Sequence, residues 1–190
     1  RKLHPSWPIP GGVASGLSIE DRDTIRRNLP EAIAFTVATL REFDGVLDKY
    51  ADEIDTFGKF PTLFMGLVTP EGDWEHHGGT LRVTDEAGKV LSEVAEADYQ
   101  QIVGEAVESD SYLKSPYYSP RGYPGGSVRV GPLARLNVCR KFGTPLADKE
   151  LHDYRQRFGG VAHSCFLYHH ARLIEILGSL EQVDQLLDDP

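Results

Sequence analysis

The feature that most constrains the fold is an apolar periodicity near each end of the chain. Leu29, Ile33, Val37, Leu40, Phe43 (with Val46 beside it) and Leu47 recur at steps of three and four residues. That spacing places them on one face of a helix and predicts a long amphipathic segment. Leu173, Ile176 or Leu177, Leu180, Val183 and Leu187 repeat the pattern in a second long helix, expected over 161–187. Ser18 is placed to cap the first helix, and Glu20 and Asp21 follow where the helix dipole favours negative charge. Pro30 lacks an amide donor and is expected to kink that helix or to start a second segment. A third helix is predicted after Thr144 as N-cap, with Pro145 at the first helical position and Gly159 and Gly160 as the stop. Ala147, Leu151, Tyr154 and Phe158 make its apolar face.

Between the helices the texture changes. "TLFMGLV" is a short apolar run bounded by Pro61 and the turn-rich "TPEGDW". Leu81 and Val83 then alternate with polar residues ahead of a turn at 85–88, so residues 62–92 read as a small antiparallel β region. "DYQQIVGEAV" is a short helix candidate, and "SYLKSPYYSPRGYPGGS" is expected to be a loop. There is no internal repeat. The expected fold is α+β, mainly α, with long helices packed on a small antiparallel sheet in a single domain over 1–190.

Charge narrows the partners. The 190 residues carry a formal net charge of -9, which argues against nonspecific binding to nucleic acid or to anionic membranes. No apolar run approaches the ~20 residues that cross a bilayer, and the proline-broken "RKLHPSWPIPGG" has no signal-peptide core. The 2 cysteines, Cys139 and Cys165, lie in no metal-ligand spacing and suit a reducing compartment. The sole methionine is Met65, so the sequence does not begin at a translation start, and an internal segment of a longer protein is expected.

The residues offer no self-sufficient active site. His169 and His170 are adjacent on a helix and point about 100° apart, so they cannot share a metal in the usual way. His163 and His170 share a face without a carboxylate or thiol to complete a ligand set. "RGYPGGSVRVGP" lacks the Lys-Ser/Thr of a phosphate loop, and Ser164 is in no nucleophile elbow. Outer-face acids such as Glu42, Asp48, Asp52 and Glu53 read as a solvated surface. Glu175 differs, because "HHARLIEIL" sets it among apolar neighbours, three residues after Arg172. An Arg172–Glu175 pair at the edge of a core is one reading of it, and a functional carboxylate is the other.

The corner "VRVGPLARLNV" sharpens this. The strand is expected to end at Val130, Gly131 to make the turn and Pro132 to start a short helix that carries Arg135 between Leu133 and Leu136. A guanidinium among leucines needs a carboxylate, because burying it alone is costly. Glu175 is the candidate partner within the chain, and a carboxylate on flanking sequence is the alternative.

Three stretches together resemble the large subunit of nickel–iron hydrogenases. "LHPSWPIPGGV" (3–13) is similar to that family's His-Pro…Gly-Gly-Val segment, "SVRVGPLARLNV" (127–138) to its Val-Gly-Pro-Leu-Ala-Arg segment, and "YHHARLIEIL" (168–177) to its Ala-Arg-x-x-Glu helix. Their order and spacing fit the central section of such a subunit, closest in texture to the soluble, cytoplasmic, NAD(P)-linked type. The resemblance implies hydrogen activation, H2 ⇌ 2H+ + 2e−, in the whole subunit, at a nickel–iron centre with CO and CN ligands held by four cysteine thiolates. It implies a small subunit carrying iron–sulfur clusters as partner, together with the segments of the large subunit that flank this one. Neither of the family's Cys-x-x-Cys motifs is present, so no metal or other cofactor is expected in this piece, nor activity from it alone. The resemblance places His4 toward the small subunit and its proximal cluster, and makes Arg135 and Arg172 buried ion-pair anchors. Apolar surface is expected where flanking segments dock. A metal-free binding or assembly module of the same fold, or the related quinone-reductase subunit, are the alternatives.

Overall fold

The computed structural model describes residues 16–188, together with the backbone of Pro8–Ile9 and Gly12–Val13. Those two short strands, β1 (Pro8–Ile9) and β2 (Gly12–Val13), pair antiparallel. Ser18 then starts the first helix as its position suggests, its hydroxyl accepting the Asp21 amide at 3.1 Å. Helix α1 (Ile19–Lys49) runs unbroken through Pro30, and α2 (Ala51–Thr56) follows directly. Burial of Leu29, Leu40 and Leu47 on one side anchors α1 on both sides of the proline, which outweighs the missing amide donor.

The sheet is mixed. Strands β3 (Leu63–Val68), β4 (Thr80–Thr84) and β5 (Val90–Ala95) form the antiparallel meander expected for 62–92. The hairpin β6 (Val103–Val107) and β7 (Lys114–Tyr118) stands apart as its own two-stranded unit. Strand β8 (Val128–Arg129) then returns to pair with β3 in parallel, giving the order β5-β4-β3-β8. The hairpin corrects two expectations. The segment read as helix, 98–107, begins inside a 3₁₀ turn, Glu96–Gln101, and its last five residues become β6. Part of the expected loop becomes β7. The pairing of Val103 with Tyr118, and of Gly104 with Tyr117, explains both. A β-carbon on Gly104 would lie 2.6 Å from the Tyr117 ring, so the cross-strand aromatic fills the space of a side chain.

Three helices complete the chain: α3 (Pro132–Val138), α4 (Pro145–Phe158) and α5 (Leu167–Leu186). The last begins six residues later than the periodicity suggests. The Asn137 side-chain amide clamps both the carbonyl and the amide of Ala162, at 2.8 and 3.1 Å, and holds that stretch extended against α3. Phe64 and Val68 face the main core with Leu40, Leu133, Leu136, Leu151, Ile174 and Leu177. Leu63 and Val83 point to the opposite face, where Ile102 and Tyr118 close a smaller core. The sheet therefore lies between a helical layer and the hairpin, and α3 bridges the sheet to α5.

Candidate functional site

The corner read from the sequence is built with the expected turn and helix start, although the strand ends at Arg129, one residue before Val130. Strand β8 gives way to Gly131, whose φ of 83° with ψ of -165° suits glycine alone, and Pro132 opens α3. On the strand beneath, a β-carbon at Gly66 would lie 3.2 Å from Arg135 Cγ and 3.0 Å from Val138 Cγ2, so α3 rests directly on the β3 backbone. This close seat aims the Arg135 guanidinium at α5.

Arg135 donates from Nε and Nη2 to the two oxygens of Glu175, at 2.5 and 2.7 Å. A third donor converges on the same carboxylate: the Trp74 indole N–H reaches Glu175 Oε1 at 3.1 Å. Two charge-assisted bonds and an indole bond offset the cost of burying Glu175, whose side chain is 7% exposed against 24% for Arg135. Trp74 is itself fixed from behind. Its amide donates to the Lys141 carbonyl at 2.7 Å, its ring packs on Phe142, and Asp73 next to it pairs with Arg140 at 2.9 Å. His76 stands edge-on to Trp74, 4.1 Å between ring centres. Burial, and then the nearby Arg135 charge, hold His76 below the usual histidine range, which keeps its ring neutral beside the guanidinium.

Two surface clefts meet at this pair. One, of about 240 Å³, lies over the sheet edge and is lined by Met65, Leu67, Glu75, His76, Val130 and Arg135. The other, of about 300 Å³, runs along α5 between Arg135, Arg172, Ile176, Leu180 and Val183. A separate polar cluster joins α1, α4 and α5. Arg41 bonds the buried Glu150 and also Asp44, and Arg157 bonds Asp44 and Asp48. His170 Nε2 lies 3.6 Å from Asp44 in a cage of Phe43, Tyr154 and Phe158. Burial drives the His170 pKa down to about 4 despite that carboxylate.

The thiols are placed for packing. Cys139 is buried and its thiol is pushed up to about 12, chiefly by desolvation, with Arg155 opposing. Arg155 itself is spent on the carbonyls of Leu136, Cys139 and Arg140, closing the C-terminus of α3. Cys165 is half-buried, and Sγ crowds Gly58. Among the described residues no three His, Cys, Asp or Glu side chains are grouped to hold a metal ion. No helix there is long and apolar enough to cross a membrane.

The four site residues singled out in the sequence fare differently. Arg135 and Glu175 come together. Arg172 does not join them: it is exposed, and among the described residues it makes no ion pair, while Glu175 accepts from Arg135 and Trp74. The expectation of a buried Arg172 anchor is thereby corrected. His4 lies outside the described residues. Trp74 escapes sequence reasoning, since its 101-residue separation from Glu175 leaves no local trace. A tryptophan inside a turn-rich segment is the one signal that could have found it.

No protein-family model matches the chain. Among curated proteins, it is 37% identical over 190 residues to a subunit of the F420-non-reducing hydrogenase vhu of Methanococcus voltae, covering 100% of this chain and 45% of that one. It is 36% identical to the NAD-reducing hydrogenase HoxS subunit beta of Cupriavidus necator, covering 100% of this chain and 40% of that one. Among solved structures, a chain of the NAD+-reducing [NiFe]-hydrogenase in the H2-reduced state superposes with a TM-score of 0.90 at 34% identity, over 96% of this chain and 41% of the other. The relatives are hydrogenase subunits, and this chain spans less than half the length of each.

Proposed function

We propose that the chain is the central section of the large subunit of a nickel–iron hydrogenase, of the soluble, cytoplasmic type that serves NAD(P) or another soluble acceptor. One observation carries the reading: likeness to hydrogenase subunits runs through the whole chain at about a third identity, with a matching backbone. The reaction of the whole subunit is H2 ⇌ 2H+ + 2e−, and this section contributes scaffold and an interface to a small subunit that carries iron–sulfur clusters. His4, in its proline-rich segment, is the proposed contact toward that subunit.

The residues present do not fit the nickel–iron centre. Such a centre takes thiolates, whereas Cys139 is desolvated, far from ionised and engaged with Arg155, and Cys165 has no second thiol beside it. The ligands are therefore assigned to flanking segments, and no step of the reaction is assigned to side chains of this section. Its contribution is positional. A bidentate Arg135–Glu175 pair, tied to Trp74, locks α3, α5 and the turn after β3 into one rigid corner.

The test is made on the longer subunit purified with its partner, and on the 190-residue chain by itself. The complex is expected to hold about one nickel per large subunit, as catalysis at a nickel site requires, and to reduce a dye under hydrogen. The chain by itself is expected to hold no stoichiometric nickel and to leave the dye unreduced. A complex free of nickel and inert to hydrogen overturns the reading in favour of a metal-free module, and quinone reduction by it favours the related quinone-reductase subunit.

A further inference from the structure

The outer face of α5 is built for contact. Its inner face buries Leu167, Ala171, Ile174, Leu177 and Gly178 in the main core. Its outer face carries Arg172, Ile176, Ser179, Val183 and Leu186, which follow one another at three- and four-residue steps. Ile176 is 42% exposed and Leu186 67% exposed, and Leu180 and Val183 lie half-buried between them in the 300 Å³ groove. A helix apolar on both faces is a buried helix, so this face lacks its cover.

The groove has a polarity as well as an apolar floor. At its N-terminal end stands Arg172, beside the Arg135–Glu175 pair and the neutral ring of His76, within a chain whose formal net charge is -9. The carboxylate lining the groove, Glu175, already accepts from Arg135 and Trp74. Arg172, without an ion-pair partner among the described residues, presents its guanidinium at the mouth. What fits is a segment with apolar side chains along its length and one Asp or Glu set to meet Arg172.

We infer that this groove seats an apolar, acid-tipped segment of the same, longer subunit. The inference rests on the reading of the chain as one section of such a subunit. It draws on the relatives' length, of which this chain spans 45% or less. More than half of a homologous subunit must pack somewhere, and an apolar helical face with a single charged end has the character of a permanent rather than a transient contact.

Side-chain footprinting of the purified longer subunit tests this directly. Ile176, Val183 and Leu186 are expected to be labelled as slowly as core Leu177. Arg172→Glu is expected to raise their labelling about tenfold by weakening the seat, while Arg172→Lys keeps most of the protection. A photo-crosslinker in place of Ser179 is expected to capture an apolar peptide that contains Asp or Glu and lies outside residues 1–190. Full labelling in the longer subunit overturns the inference. Protection that grows with protein concentration assigns the groove to a second copy, and protection seen only with another subunit present assigns it to that subunit; both overturn it. Nickel content and hydrogen-dependent dye reduction, read on the same sample, keep failure of the groove distinct from failure of the hydrogenase reading.

Discussion

Glu175 and Arg135 share one ion pair but not one environment, and the difference makes their removal unequal. Deleting Arg135 strands a carboxylate that is 7% exposed, whereas deleting Glu175 leaves a guanidinium that is 24% exposed and reaches water. Arg135→Ala is expected to cost about 3–5 kcal/mol, and Glu175→Ala clearly less, in urea unfolding of the chain. The double mutant is expected to recover more than ~1 kcal/mol relative to the sum, and strict additivity would mean the pair carries no coupling. His170 gives a second test at this scale. Its pKa falls from an ordinary 6.5 to about 4 on folding, so between those values the unfolded chain binds the extra proton. Stability contributed by His170 is whole above pH 6.5 and is lost as pH falls toward 4, by up to about 3 kcal/mol for one such group. Asp44 faces the ring and opposes that shift, while Arg41 and Arg157 reinforce it. Replacing His170 with Phe is expected to flatten the acid limb of a stability–pH profile; an unchanged limb would show that other groups dominate it.

Among the elements, the start of α4 shows where local sequence signals stop being sufficient. Thr144 occupies the N-cap position with suitable backbone, yet its hydroxyl makes no cap bond and is buried without a partner among the described residues. The capping is done from elsewhere. Glu181 of α5 accepts the amides of Leu146 and Ala147, each at 2.9 Å, and Asp148 turns back onto the Phe142 and Gly143 amides. A carboxylate at the positive end of a helix outcompetes a hydroxyl for the same donors. Glu181→Ala is therefore expected to cost about 1–2 kcal/mol by thermal or urea unfolding, with Thr144→Val near neutral. The reverse order would return the cap to Thr144. At the other corner, Gly131→Ala is expected to cost about 1–3 kcal/mol, since its backbone conformation belongs to glycine. The long helices, the Ser18 cap, Gly131 and the 62–92 meander were legible because each is written in neighbouring residues. The β6–β7 hairpin was not, because Gly104 makes sense only opposite Tyr117, and neither was the late start of α5, which Asn137 imposes from another helix.

For the whole molecule, the mainly helical α+β architecture followed from periodicity, while the site followed from it only in part. Arg135 among leucines and Glu175 among apolar residues each announced a buried charge in need of a partner, so their pairing could be anticipated. Trp74 and the exposure of Arg172 depend on how the turn after β3 packs beneath α3, which no short window of sequence encodes. The surface carries its own argument. Among the exposed groups are Phe35 and Val46 of α1, Ile176 and Leu186 of α5, and Tyr112 and Leu113 beside β7. Single exposed apolar residues, such as those of α1, are ordinary, but the stripe along α5 is not. The isolated chain is expected to bind a hydrophobic-surface dye and to scatter more light as its concentration rises, and the longer subunit to do neither. If the isolated chain instead stays monomeric and dye-free while the longer subunit does no better, its apolar faces need no cover, and a self-sufficient module becomes the better account of the fold.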